Sequence, residues 1–454
     1  MGTVWMGTAA LIAAATGFGA AALLTRHWGP LLYGQYAALV AWGTIAAVLA
    51  DGGLAQTLSK ESAQRPDAMR SLYRLALRRR IVLSALVVVV VVALLGPTNQ
   101  AVPTVIALAA VCATLQVDLG LDLSLTIWRV VGRYRSAALW RIARRTLYVA
   151  AVALGVAAGL GVTGVAVAIL ISGVPVALAA AVVCGRSAKG TSAGVDLPRY
   201  TTGLFWAAGV LYWVYFQADQ LLLSVLSDHV QLGLYAPAVA VASVLLILTT
   251  VVAEVVLPRL FHLAARETVT YTEIRDRTLQ QVPVFSMLAG LMAVVFAFFS
   301  EPITAVIFGP KFAGTAPLLG ILGFFVALRY LAVPAFLAIQ AIERLHYLVA
   351  VQATAAAVNI AGNVILIPRH GARGAAMATL VSETVMFVGV WAFLPRDWLR
   401  PALQLGVPFV ALAAVALGAG EAAGGKPSGL RIAIAVGYTV AGAVVLVRTL
   451  RRDG

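Results

Sequence analysis

The sequence predicts an all-α polytopic membrane protein of about 14 transmembrane helices. Two six-helix lobes, related by a pseudo-twofold axis along the membrane normal, are followed by two C-terminal helices. Three observations lead there. First, 61% of the chain is hydrophobic, its mean hydropathy is +0.95, and 11% of its residues are charged, whereas a soluble protein carries about a quarter. Second, the apolar residues gather into runs close to the ~20 residues that cross a bilayer. Third, the chain repeats itself. Gly161, Gly164, Ala168, Leu170 and Ser172 recur 210 residues later as Gly371, Gly374, Ala378, Leu380 and Ser382. Gly34, Tyr36 and Ala37 recur at an offset of 199 as Gly233, Tyr235 and Ala236. Duplication in a chain this apolar points to a transporter built from two copies of one unit.

In chain order the runs lie near 3–24, 34–57, 81–97, 101–127, 146–160, 162–184, 201–226, 233–257, 281–299, 315–340, 346–367, 374–394, 402–420 and 430–448. The first lacks a basic leader and reads as a retained helix. Six runs form an N-terminal lobe over 1–190, and six more a C-terminal lobe over 196–394. An even number per copy keeps both in the same orientation. The last two occupy an extra segment, 395–454, and the Gly-, Pro- and Arg-rich joins at 185–200 and 395–401 read as linkers. The segments 66–80 and 129–145 mix Arg with Leu, Tyr and Trp, which reads as lying on the cytoplasmic lipid surface. All loops are short, so no separate soluble domain is expected. Cys112 and Cys184 both fall inside spans, with no disulfide framework or metal-ligand spacing.

The formal net charge of +15 invites a nucleic-acid reading, but its distribution argues against one. With the N-terminus in the cytoplasm, the loops after even-numbered spans and the C-terminus hold 26 of the 33 Lys and Arg. Six lie in the opposite loops, and Arg329 alone falls within a span. The excess orients the chain and touches anionic membrane lipids, with both termini cytoplasmic. No nucleic acid is expected as a partner.

Several phrases carry a family likeness. Trp28, Gly29, Pro30, Tyr33, Gly34 and Tyr36 are followed by Asp51 and Leu54; Asp219, Gln220 and Leu223 are followed by Gly233, Tyr235, Leu257, Pro258 and Arg259. Phe308 to Gly314 and Ile367 to Ala376 supply two more. In this order, over roughly 26–390, they resemble the polysaccharide-flippase branch of the multidrug/oligosaccharidyl-lipid/polysaccharide exporter superfamily. The resemblance implies two six-helix lobes around a central cavity, alternating access, and a cargo of undecaprenyl-pyrophosphate-linked oligosaccharide in the cytoplasmic (inner) membrane. It admits polysaccharide polymerase and export proteins as partners.

Charges inside hydrocarbon are costly, which makes each one a site candidate. Arg329, midway along the tenth span, would cost at least ~3 kcal/mol unpaired. It suits a pyrophosphate, with Gln340 on the same face, and it equally suits a salt bridge to Glu383. Arg26 could receive phosphate at the outer end of the first span or simply snorkel. Lys60 and Arg259 could gather an anionic head group on the inner side, or serve as ordinary anchors. Trp206, Trp213, Gln217 and Gln220 fall at i, i+7, i+11 and i+14, a stripe that could stack sugar faces and bond hydroxyls, or pack helices. Asp219 points off this stripe and reads as a structural partner. Asp51, Asp118, Asp122 and Glu254 could bind Na⁺ or H⁺ for coupling, or pair within the membrane.

These readings favour a flippase for a lipid-linked oligosaccharide. The alternatives are a lipid II flippase or a multidrug exporter of the same superfamily and, in another class, a membrane prenyl- or glycosyltransferase. For the last, Asp118 and Asp122 could hold Mg²⁺ on a pyrophosphate, but no second acidic motif or sizeable loop accompanies them. No enzyme, cofactor or metal site is expected. The absence of a Walker phosphate-binding loop removes ATP as the direct driver.

Overall fold

In lipid, each backbone N–H and C=O must find its partner inside the protein, and helices do this locally. The structure is a computed structural model that describes residues 2–95, 102–190, 196–264, 271–342, 344–422 and 428–452. Among them are fifteen α-helices and no strand. They are α1 (Gly2–His27), α2 (Pro30–Asp51), α3 (Leu54–Gln64), α4 (Met69–Leu95), α5 (Val102–Val130), α6 (Tyr134–Ala157), α7 (Val162–Ser187) and α8 (Arg199–Leu226). Then come α9 (His229–Ala264), α10 (Tyr271–Leu279), α11 (Val282–Phe308), α12 (Thr315–Ala341), α13 (Leu345–Ala392), α14 (Arg396–Ala422) and α15 (Ser428–Arg452). Nine stretches of the described residues are long and apolar enough to cross a bilayer. The chain is a multi-pass membrane protein, and among the described residues each of the fourteen apolar runs overlaps a helix.

Two of those runs are the arms of α13. Gly371 breaks it with φ 54° and ψ −133°, a left-handed φ that suits glycine. Small residues then let the arms close on each other. A Cβ on Gly389 would meet Val351 Cγ1 at 2.7 Å, one on Gly362 would meet the Ala378 Cβ at 3.0 Å, and one on Gly374 would strike the Leu366 carbonyl. The Asn359 amide donates to Ser382 Oγ at 3.2 Å. All four pairs are centred on the same point of the chain, so the arms run antiparallel. In the first repeated phrase the matching turn joins α6 to α7 through Gly159, φ 68°, with Gly161 just before α7.

The chain packs as two compact units, Met1–Gly233 and Leu234–Gly454. In the first, α5 lies on α7, α1 on α6, and α2 on α5 and α8. There the second repeated phrase meets its own copy. A Cβ on Gly34 would collide with the His229 carbonyl, and one on Gly233 with the Pro30 carbonyl. Each glycine sits against the carbonyl four residues before the other, a reciprocal crossing of α2 and the start of α9. In the second unit, α11 and α12 pack together, α12 lies on α13, and α14 and α15 both lean on α11. Tyr438 of α15 donates to the Met287 carbonyl at 3.0 Å, in space left by Gly290.

One expectation is corrected. Arg329 is not alone among apolar helices, because Arg80 and Arg144, in the segments 66–80 and 129–145 that lead into α4 and α6, are 2% and 3% exposed. The physical reason is pairing, since carboxylates on neighbouring helices make a buried guanidinium tolerable. Arg80 contacts Asp51 at 3.4 Å and donates to Gln116 at 2.7 Å. Gln116 in turn donates to the Ala46 carbonyl at 3.2 Å. The second unit has its own pair: Arg329 of α12 donates to Glu383 of α13 at 2.6 Å, and the Glu383 side chain is 0% exposed.

Two outcomes follow from this packing. Gly34→Leu should lower stability by about 2 kcal/mol through overpacking, seen as an earlier thermal unfolding of the detergent-purified protein; an unchanged midpoint would show slack at the crossing. Arg329→Ala should destabilise by about 3–5 kcal/mol by stranding a buried carboxylate, while Arg329→Met with Glu383→Leu should restore most of the loss. A double-mutant cycle reads the coupling, and a value near zero would mean that the pair contributes nothing.

Candidate functional site

Helix α5 carries Asp118 and Asp122 one turn apart, which places both on one face. Helix α6 answers with Arg141, Arg144 and Arg145, spaced so that all three reach that face. The Arg144 Nε donates to Asp118 Oδ1 at 2.6 Å. Arg141 Nη2 lies 2.8 Å from Asp122 Oδ1, and its Nε donates to the same oxygen at 2.9 Å. Arg129 donates to the Asp122 backbone carbonyl at 3.2 Å and to Thr126 Oγ1 at 2.6 Å. Tyr148, one turn along α6, places its ring 5.9 Å from the Arg144 guanidinium carbon and 6.0 Å from that of Arg145, within range for cation–π attraction.

This seam borders a cavity of about 400 Å³ inside the first unit. Tyr36 and Thr44 of α2, Thr114, Asp118 and Asp122 of α5, and Arg145 and Tyr148 of α6 form its polar lining, and α8 adds Trp213 and Gln217. The side chains of Asp118 and Asp122 are 23% and 39% exposed, so the carboxylates open towards this space. A second cavity of about 300 Å³ shares Asp118, Asp122 and Arg145 with it and is bordered by α1. Such a chamber offers charge, hydrogen-bonding hydroxyls and an indole face together, within a bundle whose outside is apolar.

Of the residues singled out on sequence, Asp118, Asp122, Trp213 and Gln217 come together here. Gln220 donates to Gln217 at 3.0 Å. Trp206, on the same stripe, instead donates its indole N–H to the Leu49 carbonyl at 3.1 Å. Asp219 is buried and accepts the Gln220 backbone N–H at 2.8 Å. Asp51 belongs to the Arg80–Gln116 network. Arg26 is exposed in the last turn of α1, and Lys60 is exposed on α3; neither lines the two cavities. Arg329 and Glu383 pair in the second unit, where Gln340 donates to the Phe336 carbonyl at 3.4 Å. The side chains of Glu254 and Arg259 lie outside the described residues. The sequence reading missed Arg141, Arg144, Arg145 and Tyr148. The available signal was the match between an i, i+4 acidic pair on one span and an i, i+3, i+4 basic set on the next.

Solved structures share the fold. The lipid II flippase MurJ in an inward closed conformation has a TM-score of 0.71 at 14% identity, over 98% of each chain. An inward-facing multidrug resistance MATE family transporter of the MOP superfamily has 0.61 at 14% identity, over 86% of this chain and 94% of that one. The Vibrio cholerae MATE transporter VcmN has 0.59 at 15% identity, over 89% and 96%. These neighbours are a flippase and transporters, not enzymes. No curated protein matches the chain in sequence. The profile of the family described as polysaccharide biosynthesis protein matches residues 1–264, more than half of the chain, in line with the resemblance carried by the sequence phrases. The protein therefore belongs to the polysaccharide biosynthesis protein family.

Proposed function

We propose that the protein is a flippase that carries an undecaprenyl-pyrophosphate-linked oligosaccharide across the cytoplasmic membrane. It works by alternating access between six-helix lobes at 1–190 and 196–394, with both termini in the cytoplasm. The observation that carries the reading is the composition of the α2–α5–α6–α8 cavity. An oligosaccharide head needs water, hydroxyl partners and an aromatic face, and Thr44, Thr114, Gln217 and Trp213 offer them. A diphosphate needs positive charge, which Arg145 brings to this cavity beside Asp118 and Asp122, while Arg141 and Arg144 line the smaller cavity that shares those three residues. Na⁺ or H⁺ coupling through Asp118 and Asp122 is compatible with the arrangement, as is transport driven by downstream consumption of the cargo.

The test is reconstitution into liposomes holding fluorescent undecaprenyl-pyrophosphate sugars, with lipid II and a cationic dye as parallel cargoes. The glycan probe should redistribute between leaflets only when protein is present. Arg145→Ala should slow it by roughly tenfold or more, since one charge-assisted contact to phosphate is lost. Trp213→Ala should slow a long glycan more than a monosaccharide; equal losses would assign Trp213 to packing. Transport of dye but not of glycan would overturn the proposal, and lipid II alone would reassign the cargo.

A further inference from the structure

A third cavity of the first unit, about 510 Å³, lies on the other side of α2 and shares no lining residue with the two described above. Gln35 and Trp42 of α2, Thr104 of α5, Thr163 of α7, Ser224 of α8 and His229 at the start of α9 form its polar lining. Gln35 and Trp42 stand seven residues apart on one helix face, turned from Tyr36 and Thr44, which border the larger cavity. Helix α2 is therefore the wall between the two spaces. Along α5, Thr104 and Asp118 are roughly 20 Å apart at the helical rise per residue. All six polar residues are half-buried. The Thr163 hydroxyl donates to the Pro103 carbonyl at 2.9 Å, joining the starts of α7 and α5. The Ser224 hydroxyl donates to the Leu221 carbonyl at 2.7 Å. Both oxygens keep lone pairs for a further donor. The side chains of Gln35, Trp42 and Thr104 hydrogen-bond to none of the described residues.

The lining selects a ligand by what it lacks as well as by what it offers. No Asp, Glu, Lys or Arg borders the cavity, so an ion would enter without a counter-charge and lose its hydration. An apolar molecule would leave the amide, the indole N–H and the hydroxyls unpaired. A sugar ring meets both conditions. Each of its hydroxyls donates and accepts, and its C–H face suits an aromatic plane, here that of Trp42. We propose that this α2–α5–α7–α8 cavity binds one uncharged sugar unit, held by Gln35, Trp42 and Thr104. It adjoins the crossing of α2 and α9, since the His229 carbonyl is the group that a Cβ on Gly34 would strike. In the orientation proposed above this is the delivery side of the membrane, and the cavity receives a sugar of the cargo there. That role rests on the proposed function; the binding itself does not.

The test is thiol protection in phosphatidylcholine nanodiscs, where no glycoside detergent competes. Cys112 and Cys184 are buried, so Ser224→Cys supplies a reporter inside this cavity and Thr44→Cys one inside the larger cavity. Methyl glycosides of glucose, galactose and N-acetylglucosamine are the probes, with glucuronate as the charged comparison. At least one neutral glycoside should slow modification of Ser224→Cys by an uncharged thiol reagent severalfold. Adding Gln35→Leu or Trp42→Ala should raise the half-protecting concentration roughly fivefold, through loss of a hydrogen bond or of the stacking face. Glucuronate should protect far less, and equal protection by it would overturn the assignment of a neutral ligand. An undecaprenyl-pyrophosphate sugar placed in the bilayer separates the sources: protection by it assigns the cargo, and protection by free glycosides alone assigns a soluble saccharide. No protection of Ser224→Cys by any probe, protection confined to Thr44→Cys, or protection that Gln35→Leu and Trp42→Ala leave unchanged would overturn the site. Should Trp42→Ala fail to fold, Gln35→Leu decides, because no hydrogen bond among the described residues depends on that side chain. A protein that flips the glycan probe without this protection loses the inference and keeps the proposed function; protection by free glycosides without flipping does the reverse.

Discussion

An arginine and a carboxylate brought together across two helices are the constraint on which the interior depends. Between helices in lipid there is little hydrophobic force, because acyl chains are as apolar as leucine. A lone guanidinium or carboxylate at that depth costs several kcal/mol. Joined, the same groups fix which helix lies beside which: Arg80 ties α4 to the end of α2, Arg141 and Arg144 tie α6 to α5, and Arg329 ties α12 to α13. The pairs differ in how wet they are. Glu383 is fully buried, whereas Asp118 and Asp122 are partly open. A closed pair is suited to holding helices together, and an open one keeps a face for something else.

The remaining helix contacts are made by the smallest residues. Gly34 and Gly233 let backbones meet carbonyl to glycine, and Gly362, Gly374 and Gly389 let the two arms of α13 lie flush. Close approach of this kind gains dispersion contacts along a whole crossing and is the membrane substitute for a greasy core. It also explains why the repeated phrases of the sequence are built around glycine. They mark turns and crossings, and at Gly34, Gly164, Gly233 and Gly374 the neighbours leave no room for a side chain.

The fold was largely legible because length and apolarity decide what crosses a bilayer. Even the break at Gly371 was visible as the gap between two runs. The site was legible only in part, and Arg144 shows why. A basic residue beside an apolar run looks the same on sequence whether it snorkels to the lipid surface or turns inward to a carboxylate on the next helix. Only the partner decides, and the partner is non-local. Trp206 and Trp213 make the same point. One periodicity puts both on one face of α8, yet Trp206 caps the Leu49 carbonyl while Trp213 lines the cavity. Helical spacing fixes direction around the axis and says nothing about which neighbour stands at that height.

The position of Asp118 and Asp122 has a consequence for any ligand of the two cavities at the α5–α6 seam. Both carboxylates border both cavities, and Arg145 does so as well. Charge introduced on one side must therefore be felt on the other through the same three groups, with no intervening chain of contacts. Coupling of this kind needs no moving helix; it follows from sharing two acids between two spaces.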